Sequence, residues 1–146
     1  MGLVQKWLSL DFALFWAGIG AFISIVVSRG YVASGGDISI YAFGHMVHHI
    51  YYGIAVVIIG AYLMVILGKR MHYVGGVVLS GIFGGGLGWI TDEINFIPNW
   101  GHTYTLALYN SPVNVYADLL LLFSLFAGSF MASRFSMART QKGRSR

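Results

Sequence analysis

The stretch YYGIAVVIIGAYLMVIL, residues 51–67, decides the fold class because it carries no charged side chain over its whole length. A run of about 20 apolar residues is long enough to cross the roughly 30 Å hydrocarbon core of a membrane. The run ends where Lys69 and Arg70 bring charge back to the chain. It therefore predicts a transmembrane helix, which we place at about residues 41–67.

Three other apolar runs of similar length accompany it. The chain has 146 residues, of which 57% are hydrophobic and only 10% charged, and no stretch of soluble character is long enough for a second domain. We predict an all-α integral membrane protein, a four-transmembrane-helix bundle over residues 1–136. Without cysteine, disulfides and thiolate metal sites are excluded. The predicted spans are residues 8–28, 41–67, 73–97 and 112–134.

The distribution of basic residues predicts the orientation. Arg29 falls on one side of a four-pass chain, and the other basic residues fall on the opposite side. By the positive-inside rule, both termini are then cytoplasmic in a multi-pass protein of the cell membrane. Residues 137–146 form a basic tail, predicted to be flexible and to meet anionic lipid headgroups. The tail does not indicate nucleic-acid binding.

Ionisable residues collect at the outer ends of three predicted helices. The stretch GHMVHHIYYG, residues 44–53, holds three histidines. At about 100° per residue, His45, His48 and His49 share one helical face. Asp92 and Glu93 lie near the outer end of the third predicted span, and Asp118 lies near the start of the fourth. We expect these side chains to meet at one depth, and they are His45, His48, His49, Asp92, Glu93 and Asp118.

Glycines predict which face of the third helix turns inward. Small residues let a neighbouring backbone approach closely in a membrane helix. Asp92 belongs to the glycine-bearing face, whereas Glu93 lies about 100° around the helix. We therefore expect Asp92 to be the inward carboxylate and Glu93 to be a second ligand, a proton carrier or a partner to a neighbouring subunit. The predicted stripe is Gly81, Gly85, Gly88, Asp92 and Asn95.

Imidazoles together with carboxylates suit zinc, iron or manganese. The six clustered residues are thus candidate ligands for one or two metal ions. Such a centre generates a hydroxide nucleophile or activates oxygen, with Glu93 or Asp118 moving protons. The substrate would be small or lipidic. Whether the protein is an enzyme is left open by the sequence.

The stretch HMVHH, residues 45–49, resembles one histidine box of the membrane fatty-acid desaturases and hydroxylases, a family of di-iron oxidases. The resemblance covers five residues. Members of that family carry several boxes on cytoplasmic elements, whereas this chain has one on the predicted outer side. The resemblance therefore does not imply that this chain has the oxidase activity of the family.

An alternative to the metal site stays open. Asp92 or Asp118 could neutralise protonated histidines in a structural ion network that holds no metal. The protein would then be a non-catalytic small subunit that packs in a larger membrane complex or with copies of itself, surrounded by the lipid bilayer.

Two other charged residues lie near the ends of the first predicted helix. Arg29 is predicted to be solvated, and Asp11 is predicted to interact favourably with the helix dipole at the start of that helix.

Overall fold

The computed structural model describes residues 9–36, 40–42, 45–67, 71–99 and 106–144. Four of its helices are long and apolar enough to cross a membrane. The long elements are all helical, as predicted. In chain order the elements are α1 (Leu10–Ala33), β1 (Ile40–Ala42), β2 (His45–Val47), α2 (His49–Leu67), α3 (Tyr73–Asp92), a 3-10 helix (Ile94–Asn99), α4 (Leu106–Tyr109) and α5 (Pro112–Arg144).

Helix α1 runs five residues beyond the predicted end at residue 28, and a glycine stops it. Gly35 has a φ of 82°, a left-handed conformation that glycine adopts without a Cβ clash. The N–H of Gly36 donates to the carbonyl of Tyr31 at 3.0 Å, and the N–H of Gly35 to that of Val32 at 3.0 Å. This pair of bonds is a Schellman motif, which satisfies the last carbonyls of a helix. The extra turn keeps Arg29 within the helix.

A two-stranded antiparallel ribbon takes the place of the predicted first turns of the second span. Strands β1 and β2 pair with Tyr41 opposite Met46 and Ala42 opposite His45. Aromatic and β-branched residues such as Tyr41 and Val47 favour strands. The expectation that the three histidines share one helical face is therefore wrong, because His45 lies in β2 and His48 precedes α2, which begins only at His49.

The other helix limits also differ from the predicted ones. Helix α3 ends at Asp92, and residues 94–99 continue as a 3-10 helix where a span to residue 97 was expected. Helix α5 begins at Pro112, as predicted, but continues to Arg144. The described part of the predicted tail is therefore helical.

Helix α3 is central in the bundle, since it packs against α1, α2 and α5. Its backbone approaches α1 so closely that a Cβ added at Gly84 would overlap the carbonyl of Ala17. At Gly86, which faces α2, an added Cβ would lie 3.0 Å from the Gly53 carbonyl oxygen. Glycine thus lines the protein-facing side of α3, as predicted. The predicted stripe is right in part: an added Cβ at Gly88 would overlap Ser24 of α1, whereas one at Gly81 would meet nothing within 4 Å.

The described residues invert the usual pattern of burial in water-soluble proteins. The largest side chains less than 2% exposed are all polar: Asn114, Asp92, Ser28 and Ser80. Large apolar side chains are exposed along the helices, for example Val65 at 82% and Phe123 at 72%. A surface this apolar is typical of a chain that faces lipid or protein.

A charged centre at the polar end of the bundle

We call the end of the bundle where α1 and α3 end and α2 and α5 begin the polar end. Arg29 of α1 reaches across it to carboxylates of two other helices. Its Nε lies 2.9 Å from Oδ1 of Asp92, and its Nη2 lies 2.7 Å from Oδ2 of Asp118. Nε also donates to the same Asp118 oxygen at 3.1 Å. One guanidinium therefore links α1, α3 and α5.

The burial of these three side chains is unequal. The side chain of Asp92 is 1% exposed and that of Asp118 is 5% exposed, whereas that of Arg29 is 25% exposed. A guanidinium presents several donors in a fixed plane, so it can serve two carboxylates at once. The aspartates give up their hydration in exchange for an ion pair at Asp92 and for an ion pair with charged hydrogen bonds at Asp118.

Tyr109 and Asn114 complete the surroundings of the Arg29 contacts. The Tyr109 hydroxyl donates to Oδ2 of Asp92, and the Arg29 guanidinium carbon lies 5.6 Å from the centre of the Tyr109 ring. The Asn114 amide donates to the Tyr109 carbonyl at 2.9 Å. Its oxygen accepts from the Asn95 N–H, also at 2.9 Å. Asn114 thus joins the start of α5 to the 3-10 helix through Asn95 and to α4 through Tyr109.

Glu93 forms a second group, together with the start of α2. Its Oε1 lies 3.0 Å from Nδ1 of His49 and 3.8 Å from Nδ1 of His48. Its Oε2 accepts the N–H of Ile50 at 3.2 Å. The first N–H groups of a helix have no partner within the helix and carry its positive dipole end. Glu93 therefore caps α2 from the end of α3.

The structure gathers five of the six predicted site residues at the polar end, in two groups. Asp92 and Asp118 contact Arg29, whereas His48 and His49 contact Glu93. The His45 side chain lies outside the described residues. No arrangement of three or more histidine, aspartate or glutamate side chains fit to hold a metal ion is found within the described ranges.

Arg29 is the residue that the sequence analysis missed. It was expected to be solvated, and its contacts with Asp92 and Asp118 correct that expectation. The sequence did contain an indication of this pairing. In the four-pass topology, Arg29 is the lysine or arginine that lies on the side opposite to the others. A lone cation near buried carboxylates is better explained by pairing, because unpaired charges are costly in lipid.

Comparisons with known proteins give no guide to the role of this centre. The chain matches no protein-family model, no curated protein and no solved structure. The geometry of the polar end is therefore the basis for its proposed role.

Proposed function

We propose that the chain is a non-catalytic subunit of a membrane assembly, and that its polar end is a structural ion network. The observation that carries this proposal is the single Arg29 guanidinium between Asp92 and Asp118. A cation placed between the two carboxylates occupies the position that a metal ion would need. With their charge taken up by Arg29, the two aspartates are less available as metal ligands or proton carriers.

The proposed setting is the cell membrane, with the polar end outside and both termini in the cytoplasm. Four helices of suitable length and the exposed apolar side chains support it. The basic residues support the orientation by the positive-inside rule. The apolar helix faces leave room for lipid and for a protein partner, either another copy or a different subunit.

The orientation can be tested with single cysteines, because the chain has none of its own. Asn110→Cys places a thiol at the exposed turn before α5, and Gln141→Cys places one near the end of α5. In intact cells, a membrane-impermeant maleimide should label the first variant and reach the second only after permeabilisation. The reverse pattern would overturn the orientation, and labelling of both would overturn the spanning arrangement.

A second candidate function, a metal-dependent enzyme, is favoured by one observation. The Nδ1 atoms of His48 and His49 lie 3.8 and 3.0 Å from the same Glu93 oxygen. Ligand atoms around tetrahedral zinc, at bond lengths of about 2.0–2.1 Å, are separated by about 3.3 Å. One separation is longer and the other shorter than that value, so in this candidate the imidazoles and the carboxylate would shift to hold zinc, iron or manganese, with His45 as a further ligand. In this candidate Glu93 binds metal and Asp118 moves protons.

The structural role is preferred because the His49 imidazole and the Glu93 carboxylate already lie within ion-pair distance of each other, at 3.0 Å. Glu93 further accepts a backbone N–H of α2, which gives its carboxylate a role in the fold without any metal. Under the structural proposal, both groups at the polar end hold helix ends together.

Elemental analysis of the full chain, purified without added metal, separates the two candidates. The structural role predicts less than about 0.1 equivalent of zinc, iron or manganese in the wild type, and no change in the double variant His48→Ala/His49→Ala. Near-stoichiometric metal that is lost in the double variant would overturn the structural role. A matched double variant, Tyr51→Ala/Tyr62→Ala, alters the same helix at exposed positions and controls for general damage.

A further inference from the structure

The opposite end of the bundle, which we call the aromatic end, contains a cavity of about 660 Å³. Pockets that hold small molecules are typically about 300–1,000 Å³. The cavity lies where α1 and α3 begin, against the second half of α5. Its aromatic lining consists of Phe12, Phe15, Trp16, Tyr73, Phe126 and Phe130.

Ring contacts hold the walls of this cavity in place. The rings of Phe12 and Tyr73 meet edge to face at 5.1 Å between centroids, which joins α1 to α3. The rings of Phe15 and Phe126 meet in the same way at 6.0 Å, which joins α1 to α5. Contacts of this geometry add to the stability that burial provides. The cavity is therefore bounded by packed rings from three helices.

Polar groups lie at the helix starts, and the deeper lining is apolar. Asp11 and His72 line the cavity near the starts of α1 and α3. Trp16 lies six residues beyond Leu10, which is about 9 Å deeper at a rise of about 1.5 Å per residue. The cavity is thus amphipathic along the direction of the helices.

Asp11 is a half-buried residue that lines the cavity together with these rings, and within the described ranges it forms no ion pair. The Ser129 hydroxyl donates to the main-chain carbonyl of Asp11 at 2.7 Å, which fixes this turn against α5. A carboxylate beside several aromatic faces is complementary to an ammonium group, because both attract a cation. A phosphate or carboxylate with no ammonium group beside it would be repelled by Asp11.

We propose that this cavity binds the headgroup and upper chain of a phospholipid with a primary ammonium headgroup. This inference rests on the membrane setting of the proposed function. The ammonium group contacts the Asp11 carboxylate and the rings of Phe12 and Tyr73. The lipid phosphate, which is joined to the ammonium group by two carbons, lies beside it on the side of His72 and Ser133, which also line the cavity. The acyl chain passes the deeper rings into the bilayer.

The test is native mass spectrometry of the full chain in detergent micelles that contain equal amounts of phosphatidylethanolamine and phosphatidylglycerol. The first lipid retained should be phosphatidylethanolamine, by about tenfold, which corresponds to about 1.4 kcal/mol. Asp11→Asn should reduce this preference to about parity. Phe12→Leu should weaken retention several-fold, whereas Phe22→Leu, at an exposed position of the same helix that does not line the cavity, should not.

Equal retention of the two lipids by the wild type would overturn the proposal, and so would a preference that survives Asp11→Asn. Displacement of the lipid by equimolar soluble phosphoethanolamine would show that a free headgroup compound is the ligand, which also overturns it. Circular dichroism of each variant checks that the helices are intact. None of these outcomes bears on cysteine labelling or metal content, so this proposal can fail while the proposed function stands.

Discussion

The two ends of the bundle use aspartate in opposite ways. At the polar end, Asp92 and Asp118 are almost fully buried and share the guanidinium of Arg29. At the aromatic end, Asp11 is half-buried among rings and forms no ion pair with any described residue. Burial together with a charged partner makes an aspartate part of the fold, whereas partial burial without one leaves its charge available to a ligand. The comparison predicts that charge changes at the two ends differ in their effect on stability.

The largest effect is expected from Arg29→Met. This variant leaves two buried carboxylates without a cation, and loss of one partner of a buried ion pair costs about 3–5 kcal/mol. The measurement is the free energy of unfolding in mixed micelles, titrated with a denaturing detergent. Arg134→Met is the matched control, because Arg134 is exposed and lies over the Phe130 ring at 5.0 Å. Its loss should cost at most about 1 kcal/mol.

A triple variant separates charge from packing at the same site. Arg29→Met combined with Asp92→Asn and Asp118→Asn removes the cation and both carboxylates together. If unpaired charge is the cause, the triple variant should regain much of the stability lost in Arg29→Met, since neutral replacements of a buried network are often tolerated. A triple variant as unstable as the single one would show that the guanidinium matters for its shape instead.

An intermediate effect is expected midway between the ends, at the contact of α1 with α3. Gly84→Ala places a Cβ against the Ala17 carbonyl, so the two helices must separate, at a cost of about 1–3 kcal/mol. Gly81→Ala is the matched control, because it changes the same residue type in the same helix. The Cβ that it adds has no neighbouring atom within 4 Å. This variant should be neutral or stabilising by up to about 1 kcal/mol, because alanine favours a helix. Unfolding measurements that give the two variants equal stability would contradict this register of glycines.

Much of this fold could be predicted from the sequence, because long uncharged runs have few alternatives to a membrane-crossing helix. The gathering of ionisable residues at one end was also predictable, from their equal distance to the predicted helix ends. The glycine register was predictable only in part. The run Gly84–Gly86 places glycine on several faces of α3, so spacing alone does not choose the face that meets α1.

The internal pairing of the site could not be predicted for a different reason. Asp92 and Glu93 are neighbours in sequence, yet one contacts Arg29 and the other contacts the start of α2. Which partner each finds depends on how three helices cross, and on α1 extending past Arg29. Likewise, the short ribbon moved His45 off the helix, because a few strand-forming residues next to an apolar run are hard to distinguish from its continuation.

The smallest effect on stability is expected from Asp11→Asn. The variant removes a charge from the first turn of α1, where interaction with the helix dipole contributes only about 0.3–1 kcal/mol. The polar amide keeps the shape of the side chain, and the Ser129 bond is to the main chain, so it remains. The free energy of unfolding in mixed micelles should therefore change by less than about 1 kcal/mol. That change is several-fold smaller than the one expected for Arg29→Met. A loss as large as that of Arg29→Met would mean that Asp11 has a buried partner, and the contrast between the two ends would disappear.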